Sequence, residues 1–119
     1  MKIAITAQNP SPENQVDPHF GRAAWLMIYD QEKNEWESID NSAGVNAARG
    51  AGIQAAQKVV DHQAGILIAG AIGPNAFKSL SAAGVKIYHG ATGTVEDALQ
   101  AYLEGQLTET STNDATGGV

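Results

Sequence analysis

One imidazole, one carboxylate and one guanidinium fall within eight positions of the chain, Val16-Asp17-Pro18-His19-Phe20-Gly21-Arg22-Ala23. An imidazole binds metal ions, a neighbouring carboxylate orients or charge-balances it, and a guanidinium meets an anion. Pro18 and Gly21 bend the backbone between them. A structural zinc site wants four protein ligands, and the chain has no cysteine. His19 therefore suits a single bond to a cofactor that brings its own remaining ligands. A plainer reading explains the same residues, with Asp17-Pro18 as a turn and His19 as a part of it. The residues alone leave the two open.

Two glycine-bearing stretches add a second kind of chemistry. Gly70-Ala71-Ile72-Gly73-Pro74-Asn75 and Gly90-Ala91-Thr92-Gly93 each precede a helical pattern. Helix starts present free N–H groups and partial positive charge, which suit an anion. The first stretch is not a Walker sequence, because no Gly-Lys-Ser/Thr follows, and by itself it reads first as a tight strand-to-helix turn. The second reads first as a capped helix start. His62 closes a helix, where a cation suits the dipole, and is taken as structural. His89, at a strand end, stays open between the two roles.

The elements that must position these residues follow from periodicity. Lys2–Thr6 alternates as a first strand, Ala24–Tyr29 is a near-continuous apolar second, and Glu35–Ile39 alternates as a third. Ile66–Ala69 and Val85–Tyr88 are the fourth and fifth. Helices are expected over Ala47–His62, with Ile53, Ala56, Val59 and Val60 as its apolar stripe, over Asn75–Ala83 with Phe77 and Leu80, and over Val95–Glu104. The last stripe holds Ala98, Leu99, Tyr102 and Leu103, and Thr94 with Asp97 forms a capping box. The order β-β-β-α-β-α-β-α predicts an α/β, ribonuclease-H-like arrangement, a five-stranded mixed sheet of order 3-2-1-4-5 with helices on both faces. Strands one, three, four and five then end at one edge. The loops Ala7–Ala23, Asp40–Asn46, Gly70–Gly73 and Gly90–Gly93 meet there, at the edge where open α/β sheets bind ligands.

At 119 residues the chain makes one domain, expected over residues 1–107, with a polar, disordered tail over 108–119. Thirteen acids against seven bases give a net charge of −6, a poor footprint for nucleic acid. No apolar run is long enough for a membrane span and no signal segment is visible, so a cytoplasmic location is expected.

Val-Asp-Pro-His-Phe-Gly-Arg-Ala after the first strand, Gly-Pro-Asn-Ala-Phe after the fourth and Ala-Gly-Val-Lys-Ile-Tyr into the fifth resemble the dinitrogenase iron–molybdenum cofactor biosynthesis family. That group includes NifX, NafY and the C-terminal domain of NifB. The resemblance spans roughly Met1 to Leu107. It implies a ribonuclease-H-like fold and binding rather than catalysis. The expected cargo is an iron–molybdenum cofactor or a related molybdenum-containing metal–sulfur cluster, passed between donor and acceptor proteins. It also implies that His19, the histidine of the matching stretch, is the cluster ligand. Arg22 and the glycine-loop positions Gly70, Gly73, Asn75 and Gly90 are then the residues that meet the cluster's negative charge. A rival reading is a protein-interaction or regulatory module of the same fold with no cluster. A two-metal nuclease is disfavoured, because it needs carboxylates on the central strands and neither Lys2–Thr6 nor Ile66–Ala69 holds one.

Overall fold

Strict alternation along the strands decides how the sheet is covered. The computed structural model describes residues 1–42 and 50–110. Six strands, β1 (Lys2–Ala7), β2 (Trp25–Asp30), β3 (Glu35–Asp40), β4 (Ala64–Ile68), β5 (Lys86–His89) and β6 (Thr108–Glu109), form one sheet of order β3-β2-β1-β4-β5-β6. β1 pairs parallel with β4, and β4 with β5, while β2 runs antiparallel to both β1 and β3. Helices α1 (Ala51–Asp61), α2 (Pro74–Ala82) and α3 (Val95–Leu103) follow in the described residues. Ile3 and Ile5 of β1 and Ile66 and Ile68 of β4 share one face with Val95 and Ala98 of α3. Ala4, Leu67 and Leu26 point the other way, onto Ala55 and Val59 of α1 and Leu80 of α2. Helices thus cover both faces, and the central strands are buried on each. No helix among the described residues is long and apolar enough to cross a membrane.

Two expectations need correction. The sheet has six strands, not five. β6 lies in the stretch read as tail and pairs antiparallel with β5, Tyr88 opposite Glu109 and His89 opposite Thr108. Thr110 is buried, and its N–H donates to the Ile87 carbonyl at 2.7 Å. Two polar residues make no period-two signal, so edge pairing alone reveals them. The rest of the expected tail, 111–119, lies outside the described residues, as do 47–49 of the first expected helix and 43–46 of the loop before it. The second correction concerns α1. Ile53 is 51% exposed and Val60 37%, while Ala51, Ala55, Ala56 and Val59 are buried. Small side chains on that face let the helix approach its neighbours closely, so alanine rather than isoleucine marks the inner side. Leu103, read on the inner stripe of the last helix, is also half exposed.

The capping box at α3 is present as expected. The Asp97 N–H donates to Thr94 Oγ1 at 3.1 Å, and the Thr94 N–H donates to Asp97 Oδ2 at 3.1 Å. Thr94→Ala should cost about 1 kcal/mol. Urea unfolding of the variant checks this, with an unchanged midpoint counting against the cap.

Candidate functional site

The loop between β1 and β2 is fastened along its length. Thr6, fully buried, donates its hydroxyl to the Asp17 carbonyl at 2.9 Å, and the Asp17 N–H donates to the Thr6 carbonyl at 3.1 Å. The Val16 N–H donates to the Gly93 carbonyl at 2.9 Å. His19 then bridges to Ala71 in parallel register, and the Phe20 N–H donates to the Ala71 carbonyl at 3.1 Å. Phe20 to Arg22 form a 3-10 turn whose aromatic ring is fully buried in the α1–α2 side of the core. That ring anchors the turn, with His19 exposed before it and Arg22 half-buried after it.

Three glycines set how closely the pieces meet. A Cβ on Gly70 would lie 2.7 Å from Pro18 Cα, and one on Gly21 would lie 2.8 Å from the Gly52 nitrogen. A Cβ on Gly52 would stand 3.2 Å from that of Ala76. The turn, the start of α1 and the start of α2 are therefore stacked with no room for a methyl group between turn and helix. Beside this stack lies a cavity of about 470 Å³, lined by Arg22, by α1 from Gly50 to Ile53 and by α2 from Gly73 to Ala76. Both helices begin on a glycine, Gly50 and Gly73, with no side-chain cap. Starts with no side-chain cap among the described residues present orphan N–H groups and the positive end of the helix dipole to the space before them.

The third helix start is different. The Val95 and Glu96 N–H groups donate to the Asn14 and Pro12 carbonyls, each at 2.9 Å, and Thr94 takes the Asp97 N–H. The polar loop Gln8–Gln15 thus spends the N-terminus of α3 on itself. Of the two glycine-led helix starts singled out in the sequence, that of α3 is closed, and that of α2 shares the cavity wall with the start of α1.

The expected site residues divide accordingly. Arg22, Gly73 and Asn75 share the cavity wall. His19 and Gly70 are neighbours through the Ala71 bridge and the Pro18 contact, on the flank of the same turn. Gly90 stands one strand further on, with its N–H donating to the Gly70 carbonyl at 3.0 Å; it buttresses Gly70 and is not a cavity residue. Asp17 does not orient the imidazole: its Oδ1 accepts the His19 backbone N–H at 3.0 Å, an Asx turn that leaves the exposed ring without a hydrogen-bond partner among the described residues. His62 is structural as expected, its Nδ1 2.8 Å from the Lys58 carbonyl. His89 is engaged too, its Nδ1 2.7 Å from Thr110 Oγ1. The wall contributed by Gly50 to Ile53 was missed. Its signal in the sequence was the Gly50–Gly52 pair at the start of the helical pattern.

Among the described residues no three of His, Asp and Glu gather to hold a metal ion. The donor set is one exposed imidazole, one guanidinium and two helix starts. Imidazole is a metal ligand, and a guanidinium and helix starts suit an anion. Residues 1–105 match the family of the dinitrogenase iron–molybdenum cofactor. The chain belongs to that family. Members of the iron–molybdenum cofactor family take part in making or binding that cofactor, and the fold here is shared closely with solved structures. The apo form of the orange protein from Desulfovibrio gigas is 41% identical, with a TM-score of 0.89 over 92% of each chain. A Thermotoga protein described as a candidate NifB protein is 37% identical, with a TM-score of 0.81 over 91% of each chain. An uncharacterised protein of Methanocaldococcus jannaschii is 32% identical over 110 residues, 90% of this chain and 89% of that one.

Proposed function

We propose that this member of the iron–molybdenum cofactor family binds and carries an anionic metal–sulfur cluster, without catalysing a reaction on it. The observation that carries the reading is the cavity walled by Arg22 and by two glycine-led helix starts, with an exposed imidazole that has no hydrogen-bond partner among the described residues on the flank of the same turn. Backbone N–H groups and the guanidinium meet the charge of the cluster, and His19 supplies a bond to one of its metals. A preassembled cluster suits a chain that has no cysteine and, among the described residues, no gathering of His, Asp and Glu to assemble one. Carriage implies partners, a donor that delivers the cluster and an acceptor that removes it. The exposed Ile53 on the cavity rim favours contact with such proteins at the cavity mouth.

Protein isolated without oxygen from its own host should show visible absorption from metal–sulfur charge transfer. Metal analysis should find molybdenum with sulfide. A colourless, metal-free protein from that source would overturn the carrier reading in favour of an interaction module of the same fold.

A further inference from the structure

Asn41 is a fully buried polar side chain outside the cavity. Its Nδ2 donates to the Ala23 carbonyl at 2.8 Å, and its Oδ1 accepts from Lys58 Nζ at 2.9 Å. Its backbone N–H donates to the Ala24 carbonyl at 2.9 Å. Three segments meet at this one amide: the end of β3, the exit of the Phe20–Arg22 turn and the middle of α1. Next to it, the Ser42 N–H and hydroxyl, followed by the charge of Lys58, hold the Asp40 carboxyl below its ordinary range.

The chemistry of the pair is selective. A carboxamide donates through nitrogen and accepts through oxygen at once. An aspartate there would still accept from Lys58 but would set an oxygen against the Ala23 carbonyl. A leucine would satisfy neither partner. Burying a polar group is costly unless it is bonded, and a fully bonded one fixes geometry. Ala23 directly follows Arg22, which lines the cavity. We infer that Asn41, held by Lys58, is a positioning residue that fixes the exit of the turn against α1 and so keeps Arg22 at the cavity wall. The functional part of this inference rests on the proposed binding of an anionic cluster.

The test uses tetrathiomolybdate, a small metal–sulfur dianion, as probe, together with amide exchange of the full chain by NMR. Asn41→Asp keeps the Lys58 contact as an ion pair, so the variant folds. The Phe20, Gly21 and Ala23 amides should exchange faster, and probe affinity should fall by about tenfold, the scale of one lost buried hydrogen bond. Asn41→Leu combined with Lys58→Met removes both polar side chains and should regain stability over Asn41→Leu alone. Its affinity should stay low, because Ala23 is still untethered. A role in stability alone predicts that affinity recovers with stability in the double variant, and that result would overturn the inference. Parent-like exchange in the turn of Asn41→Asp would overturn it as well, as would faster exchange with parent affinity. Failure of the parent itself to bind the probe would instead strike the proposed function, and the exchange rates would still decide whether Asn41 positions the turn.

Discussion

Gly70→Ala should break the site and much of the stability with it. The added methyl would meet Pro18 at three backbone atoms, Cα at 2.7 Å, O at 2.9 Å and C at 3.1 Å. None of these is the end of a flexible side chain that can swing away. The Asp17–Phe20 segment must lift, and it is tied to Ala71 by the Phe20 hydrogen bond and the His19 bridge. Overpacking of this kind costs about 1–3 kcal/mol, and the upper half of that range is expected because the obstacle is backbone on both sides. Gly84→Ala is the control. Gly84 has φ +84° but nothing within 4 Å of an added Cβ, so it costs only the left-handed conformation, about 1–2 kcal/mol. Both variants should unfold at lower urea concentration. Only Gly70→Ala should also lose probe affinity, because its strain is delivered to the turn that carries His19 and Arg22. Parent affinity in folded Gly70→Ala would show that the close approach of these loops is unimportant to binding.

The sheet order of the first five strands was readable because alternation and continuous apolar runs are local signals with one global solution. The right-handed crossover rule then placed β4 beside β1. β6 was not readable, since two polar residues reveal a strand only by where they dock. The inner face of α1 was misread because isoleucine and valine outweigh alanine in any hydrophobic pattern, whereas close packing against Gly21 and Ala76 demanded the small residues. The site was half legible. Arg22, Gly73 and Asn75, chosen from residue type and from the strand-end edge, share the cavity wall, and His19 lies on the flank of the same turn. Gly50 to Ile53 were missed because a cavity between two helix starts is a product of their packing, which no single stretch encodes. Asp17 was given the wrong partner for a related reason. A carboxylate two residues before an imidazole is just as well placed to cap the backbone N–H, and the capping geometry wins where the ring turns to solvent.

His19→Ala should abolish most cluster binding while leaving the fold intact. The imidazole is exposed and makes no hydrogen bond among the described residues, and the work of holding the turn is done by Phe20, Thr6 and the backbone. Removal of such a side chain changes stability by no more than about 0.5 kcal/mol. If the ring supplies a metal bond, affinity for the reconstituted cluster should fall at least about tenfold, or roughly 1.4 kcal/mol. Parent affinity should also weaken toward acid pH, because protons compete with the metal for the ring nitrogen. Arg22→Ala should weaken binding by a different route, with the loss largest at low salt, where attraction between charges is least screened. The two variants therefore separate bond from charge: the His19→Ala loss persists in high salt and removes the acid dependence, and the Arg22→Ala loss shrinks in salt and keeps it. His89→Ala is the matched comparison, since that ring is already engaged by Thr110 at 2.7 Å, and it should loosen β6 without reducing affinity. Should His19→Ala bind the cluster as tightly as the parent, with its acid dependence unchanged, the metal bond is not made by this ring, and the charge of Arg22 and the helix starts holds the cluster alone.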